Sequence, residues 1–423
     1  MPTPIRRCRI CGNPNLIKVL DLGEQALTGV FPRAEDQPVT RGPLQLLKCH
    51  EEERGDCCGL LQLAHSYDIN EMYGENYGYR SGLNPSMVRH LHSKVERILG
   101  MTHLSVGDLI VDIGSNDSTT LRAYPTGTCR LVGIDPTGVK FRDYYPPHIE
   151  LIPDFFSLAG FRERFGEQRA KVVTSFSMFY DLEDPMRFMR EIVDILDEQG
   201  IWVFEQSYMP TMLERNAYDT VCHEHLEYYG LGQIKWMADR VGLRIVDVEF
   251  NDINGGSFSV TVAKPESAYA PYAELGALLD HEERLGLRAL APYRAFAARV
   301  EAARQALINF FRRAAGDGKR IAGLGASTKG NVVLQYCGLT RSSLECIGEV
   351  NSEKFGRYTP GTLVPIVAEE QLLASKPDYL LILPWHFRPY FEGEPRYAGS
   401  SLVVPLPELE ILNPTPRDAA SSP

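Results

Sequence analysis

An α/β protein of three domains is expected from three observations. The chain has 423 residues, more than a single core supports. Two stretches, 109–121 and 320–331, each read as a buried strand running into a glycine turn, the beginning of an α/β unit, with a boundary near residues 265–271 between them. Five of the nine cysteines fall before residue 59, which points to a small metal-stabilised piece ahead of both. The expected division is a zinc-binding domain at 1–70, a first Rossmann-like unit at 71–265, a second at 266–412 and a disordered tail at 413–423.

Composition narrows the partners. Hydrophobic residues make up 44% and charged residues 23% of the chain, the balance of a soluble globular protein. Acidic side chains outnumber basic ones 55 to 44, with no basic run, so no nucleic-acid partner is expected. The first residues carry no apolar signal segment and no stretch is long enough to span a bilayer, so a cytoplasmic protein without a membrane partner is expected.

Cys8-Arg9-Ile10-Cys11-Gly12 is a Cys-x-x-Cys knuckle, whose spacing brings two thiolates to one ion while the glycine allows the tight turn. Cys49 and Cys58 are chosen to complete the expected four-sulfur site, with His50 in reserve; the adjacent Cys57 and Cys58 cannot both easily reach one tetrahedral ion, and the choice between them stays open in the sequence. A closed site of four cysteines is structural zinc, with no open position for chemistry. Tyrosines alternate with glycines over 73–82, as in a flap that presents the Tyr77 and Tyr79 phenols to a ligand. The apolar spacing of Met87, Val88, Leu91, Val95 and Ile98 predicts a packing helix over 84–99.

Val111-Asp112-Ile113-Gly114-Ser115-Asn116-Asp117 predicts a strand, a turn and then a helix. Only Gly114 of a dinucleotide glycine triplet is present. The following strand ends in Asp135, about twenty residues on, where a carboxylate can accept both ribose hydroxyls. Asp112, Gly114, Asn116 and Asp135 thus form a nucleoside-cofactor half-site. Strands at 171–175 and 200–205 follow, and 243–250 with 254–262 read as a closing antiparallel pair.

Tyr218-Asp219-Thr220-Val221-Cys222-His223-Glu224-His225-Leu226-Glu227-Tyr228-Tyr229 is the densest run of titratable groups. It lies between the 200–205 strand and an amphipathic helix predicted at 231–241, where α/β sheets carry chemistry. On extended backbone His223 and His225 would share a face and could hold a metal, but no third ligand stands nearby. A neutral imidazole acting as general base is the favoured reading. In the second unit, Ser327, Lys329 and Asn331 open a helix after a glycine turn, a setting that favours phosphate. Glu349, Lys354, Arg357 and His386 end neighbouring strands, across which a pyrophosphate and a base could lie.

In order along nearly the whole chain, the knuckle, Val-Asp-Ile-Gly-Ser-Asn-Asp, Asp-Thr-Val-Cys-His-Glu-His-Leu-Glu-Tyr-Tyr, Gly-Gly-Ser and Gly-Ala-Ser-Thr-Lys-Gly-Asn resemble the S-adenosylmethionine (SAM)-dependent sugar C-methyltransferases of antibiotic biosynthesis. The resemblance implies a zinc domain, a methyltransferase domain and a C-terminal Rossmann-like domain that helps hold a thymidine-diphospho-4-keto-sugar, with 3-methylated 2,6-dideoxysugars as the nearest products. It further implies Gly114 and Asn116 at the methionine portion of the cofactor, Asp135 at its ribose, Phe156 or Ser157 at its adenine, His225 as base, Glu224 beside it and Tyr79 over the sugar. Three positions depart from the family pattern: Cys222 stands where tyrosine is frequent, Asp181 where histidine is, and Asn254 where histidine precedes Gly-Gly-Ser. Cys222 and Asp181 border the reacting sugar in the family, so both are candidate catalytic residues.

The expected chemistry is removal of the C3 proton by His225, stabilisation of the C4 oxygen by Tyr79 or protonated His223, and attack of C3 on the sulfonium methyl. Reduction of the same ketone by NADPH, alone or as a second activity, is the competing enzyme reading. A catalytically silent sugar-nucleotide binder is the non-enzyme one. The exact sugar and the oligomeric state are not encoded legibly.

Overall fold

The computed structural model describes residues 2–51, 56–73 and 79–413; Tyr77 and the tail from 414 lie outside the described residues. Three α/β bodies are present, as expected. The central one is a seven-stranded sheet in the spatial order Arg244–Asn251, Ser257–Ala263, Leu196–Ser207, Ala170–Phe176, Leu109–Ile113, Arg130–Ile134, Ile149–Ile152. The last five run parallel, and Ser257–Ala263 is antiparallel to both of its neighbours. Leu109–Ile113 is buried at every position, which is why Leu-Ile-Val-Asp-Ile reads as an uninterrupted apolar strand with one acid. Strand order reverses beside it, so the carboxyl ends of Leu109–Ile113 and Ala170–Phe176 border a crevice.

Pro85–Met101 forms the expected packing helix, started by Asn84, whose side chain accepts from the Ser86 amide. The helix expected after Asp117 is replaced by a single 3-10 turn, Leu121–Ala123. Asn116 and Ser118 adopt positive φ of 48° and 62°, which no α-helix accommodates, and Pro125 follows at once.

The C-terminal sheet has the order Ile366–Ala368, Ile347–Glu349, Ile321–Leu324, Tyr379–Ile382, Ser401–Val404, Glu410–Leu412, parallel except for the last edge strand. The long helix Ala291–Gly316 precedes it.

The N-terminal sheet contains Leu16–Ala26, Arg41–Cys49 and Leu61–Leu63, and its fourth strand is Glu227–Tyr228 from the histidine-rich segment. The small domain therefore does not rely on zinc in place of a core. Leu44, Leu46 and Leu61 share one apolar core with Tyr293, Phe296 and Val332 of the C-terminal body, while Cys8, Cys49, Cys58 and Leu60 pack in another with Tyr229, Leu231 and Ile234 of the central body. It is a wedge between the two larger domains. Among the described residues no helix is long and apolar enough to cross a membrane.

Candidate active site

A cavity of about 290 Å³ opens at the crevice where strand order reverses, and its lining includes Asp112, Gly114, Asn116, Asp135, Phe156 and Asp181. Gly114 has φ +77°, and a Cβ there would meet Met178 at 3.1 Å, so only glycine leaves backbone open to a ligand. Asp135 accepts hydrogen bonds from the Asn116 amide at 2.7 Å and from the Thr137 amide and hydroxyl at 2.6 Å each. These fix its carboxylate at the cavity wall. The Asn116 side chain accepts from the Ser81 amide and donates to the Tyr79 carbonyl, coupling the turn to the segment that covers the cavity. Asp112 is pushed up to about 7 by burial, against the hydrogen bond it accepts from Thr174. Phe156 rests edge-on against Phe188, centroids 5.4 Å apart. Ser157, expected beside adenine, does not line the cavity; its hydroxyl caps the helix Leu158–Phe165. The glycine cradle and the acidic strand end fit a nucleoside cofactor such as SAM.

On the far side of Asp181 lies the histidine segment. A turn at His223 and Glu224 breaks the extended backbone, and the two rings meet different neighbours, Tyr67 for His223 and Tyr180 for His225, so the shared metal face allowed by extended backbone does not form. His225 is half-buried, its ring 4.4 Å from that of Tyr180. Its Nδ1 lies 2.9 Å from the Thr220 carbonyl, which can only accept, so Nδ1 carries the proton and Nε2 the lone pair. Burial and then the charge of Lys329 push this imidazole down to about 3, leaving it neutral at physiological pH.

His223 is fully buried, edge-on to Tyr67 at 4.7 Å, and burial pushes it also to about 3. The expectation of a protonated His223 donor is corrected on that ground: charging a ring this deeply buried is unfavourable, and the backbone groups of Gly42 and Gln25 only partly oppose the shift. Glu224 is raised by burial and receives the Thr28 hydroxyl at 3.3 Å. Cys222 is fully buried in the apolar core, its thiol pushed well up. Asp181 accepts from the Tyr73 hydroxyl at 2.7 Å, and its other oxygen is buried without a hydrogen bond among the described residues. Tyr79, 47% exposed, lies at the cavity lining.

The C-terminal domain closes this junction with part of the expected set. Lys329 donates to the Asn254 carbonyl at 2.7 Å and its charge acts on Asp219, His225 and His386. Asp219 in turn accepts from the Trp385 indole at 2.9 Å. His386 is pushed down to about 3, by burial first. The remaining residues are committed elsewhere. The Ser327 hydroxyl caps its own helix at Gly330. Asn331 donates to the Thr28 carbonyl at 2.7 Å, binding the C-terminal domain to the wedge. Lys354 donates to the Ala326 carbonyl and lies over the Phe31 ring. Glu349 accepts from the amides of Val350 and Asn351. Arg357 is lowered by burial and by the neighbouring charge of Arg33.

Thr28, Gly29, Tyr73 and Asp219 border the site and are absent from the set that sequence reasoning proposes. Asp219 is visible inside the dense segment. Thr28 and Gly29 carry no local signal, since their role comes from a contact almost two hundred residues along the chain.

The Sγ atoms of Cys8, Cys11, Cys49 and Cys58 lie within 4.8 Å of one another, a donor set and spacing that fit tetrahedral zinc. Cys57 is outside the cluster. Among the described residues it is the one group of three or more such side chains able to hold a metal ion.

The strand order, the glycine cradle and the acidic strand end fit a SAM-dependent methyltransferase with an attached zinc domain. Family models agree: a zinc-binding domain matches residues 8–73, a methyltransferase domain residues 86–248 and a C-methyltransferase C-terminal domain residues 252–407. The C-methyltransferase NovU of Streptomyces niveus is 30% identical over 421 residues, 97% of each chain. This chain belongs to that SAM-dependent C-methyltransferase family. Solved structures with a similar fold include a SAM-dependent methyltransferase of Mesorhizobium loti, at 15% identity and TM-score 0.33 over 40% of this chain and 97% of that one. Another is magnesium protoporphyrin IX methyltransferase of Synechocystis, at 11% identity and TM-score 0.32 over 42% and 79%.

Proposed function

We propose that the enzyme methylates C3 of a thymidine-diphospho-4-keto-2,6-dideoxysugar, a step in deoxysugar biosynthesis, with His225 as the base. The observation that carries the reading is the fixed tautomer of His225: Nδ1–H is held by the Thr220 carbonyl at 2.9 Å, so Nε2 is the acceptor. A ketone at C4 makes the C3 proton removable because the charge left behind spreads onto the C4 oxygen. His225 Nε2 takes that proton, and the resulting enolate carbon takes the methyl group as the C4 carbonyl re-forms. SAM supplies a methyl on a positive sulfur that is already a good leaving group.

The chain's own work is alignment and charge control. Asp135 holds the ribose, Gly114 and Asn116 leave room for the methionine portion, Phe156 flanks adenine, and Tyr79 covers the sugar. The charge of Lys329 reaches both His225 and His386. An anionic substrate near Lys329 offsets the second of the two causes that depress His225, so substrate binding strengthens the base. Glu224 and Asp181, both raised by burial, retain protons more readily than ordinary carboxyls and are suited to donate to the developing oxyanion.

The test is His225→Asn with the sugar nucleotide in deuterated water. Wild type is expected to exchange the C3 hydrogen and, with SAM, to add one methyl; the variant is expected to bind the sugar nucleotide yet do neither. Exchange at the wild-type rate would remove His225 from the role of base. A parallel reaction with NADPH in place of SAM distinguishes methyl transfer from reduction of the ketone.

A further inference from the structure

Arg9 lies inside the zinc knuckle, between Cys8 and Cys11, yet its side chain points away from the sulfurs. It is 3% exposed, and its guanidinium donates to the Leu63 carbonyl at 2.7 Å and to the Ser66 hydroxyl at 3.1 Å. Its backbone amide donates to the Gln62 side chain at 3.0 Å. Two carboxylates of the methyltransferase domain face the remaining edge: Nε is 3.7 Å from Glu227, whose side chain is completely buried, and 3.6 Å from Glu183.

The places of those carboxylates in the chain give the contact its meaning. Glu227 is two residues beyond His225 and begins the short strand that pairs with Leu61–Leu63. Glu183 is two residues beyond Asp181 and next to Leu182, both of which line the cofactor cavity. Loop and segment also meet directly, through the Leu226 amide and the Tyr180 carbonyl at 2.8 Å. One guanidinium, on a backbone that the cysteine site holds at both ends, thus faces the loop that continues from the cavity wall and the base-bearing segment together. Among the described residues the Glu227 oxygens make no hydrogen bond, and Arg9 is the cation within 4.0 Å of them. Burial raises the Glu227 carboxyl well above its ordinary value and the charge of Arg9 opposes that rise, so whatever ionised form it has in this buried place depends on that cation.

We infer that Arg9 is a positioning residue for methyl transfer, setting the distance between the cofactor cavity and His225 through Glu227 and Glu183. The zinc knuckle is then part of the catalytic alignment as well as of the fold. This rests on the reading of His225 as base.

The experiment compares Arg9→Met, Glu227→Gln and His225→Asn as full-length, zinc-loaded proteins. Zinc content, SAM affinity, kcat, sugar KM and C3 hydrogen exchange without SAM are measured for each. Arg9→Met is expected to keep one zinc per chain, SAM affinity within about threefold and KM within about threefold, while kcat and exchange fall together by about tenfold or more. Glu227→Gln, which keeps the shape and removes the carboxyl that faces Arg9, is expected to move the same two quantities in the same direction, and it carries the test if Arg9→Met does not fold. A folded Arg9→Met with wild-type kcat and exchange overturns the inference, as does a loss confined to zinc content or KM. Loss of exchange in His225→Asn alone refutes the role of Arg9 while leaving the base intact; exchange surviving in His225→Asn refutes the base itself.

Discussion

Gly29 of the wedge domain is the most revealing place to disturb the site, because it has no side chain of its own to react while its backbone bonds Glu224. A Cβ built there would lie 2.2 Å from Glu224 Oε1 and 3.6 Å from the Thr328 hydroxyl. Ordinary contact begins near 3.4 Å, so Gly29→Ala requires the Glu224 carboxylate to retreat by about 1 Å and to loosen its hydrogen bond with Thr28. Gly29 is not among the glycines with φ in the left-handed region, so alanine costs the backbone little. Stability should change by no more than about 1 kcal/mol. A displacement of about 1 Å in an aligned catalytic group is worth about 100-fold in rate, or roughly 2.7 kcal/mol of barrier. The variant is therefore expected to melt near the wild-type temperature and to bind SAM normally, with kcat/KM for methyl transfer down by one to two orders of magnitude. Steady-state kinetics alongside calorimetric melting and SAM titration test this. Wild-type kcat/KM in a folded Gly29→Ala would refute the placement of Glu224 at the reaction centre.

Two further outcomes follow from burial and from sulfur geometry. The folded-state value of His223 near 3 lies below its ordinary 6.5, so protons bind the unfolded chain preferentially. The stability of this neutral ring is complete above about pH 6.5 and is lost as pH falls toward 3, by about 4 to 5 kcal/mol. His223→Gln should flatten the decline of urea-unfolding free energy between pH 6.5 and 4, and an unchanged slope would contradict the assignment. Cys58→Ser should lower zinc below one per chain and destabilise the packing around Tyr229 and Leu231, whereas Cys57→Ser should retain a full equivalent; elemental analysis after gel filtration distinguishes them, and equal loss from both would overturn the choice of ligand.

What can be read from sequence is local. The glycine and acid of the cofactor half-site, the knuckle, and the helix Leu231–Val241 each declare themselves through spacing within about twenty residues, because a turn or an amphipathic face is a short-range requirement. Among the expectations that fail, two do so for different reasons. Extended backbone through the histidines gives way to the turn at His223, which separates them. Polar residues at the start of the helix Thr328–Cys337 look like ligand groups, whereas Ser327 caps that helix and Asn331 holds the wedge. Neither distinction is visible without knowing which backbone groups are already satisfied. Thr28, Gly29 and Arg9 act only through partners supplied by remote sequence, and no periodicity announces such a pairing.

The strand Glu227–Tyr228 also bears on how the protein comes into being. Leu61–Leu63 reaches its pairing partner only after more than 160 further residues have emerged from the ribosome, since its mate is Leu61 to Tyr228. Until then its outer edge is open and the buried leucines beneath it lack the C-terminal helix that covers them, a configuration prone to mispairing. The wedge is therefore first in sequence and among the last parts to be completed. Exchange of N-terminal modules between relatives must move residues 227–228, with the loop that carries His225, as part of the same unit.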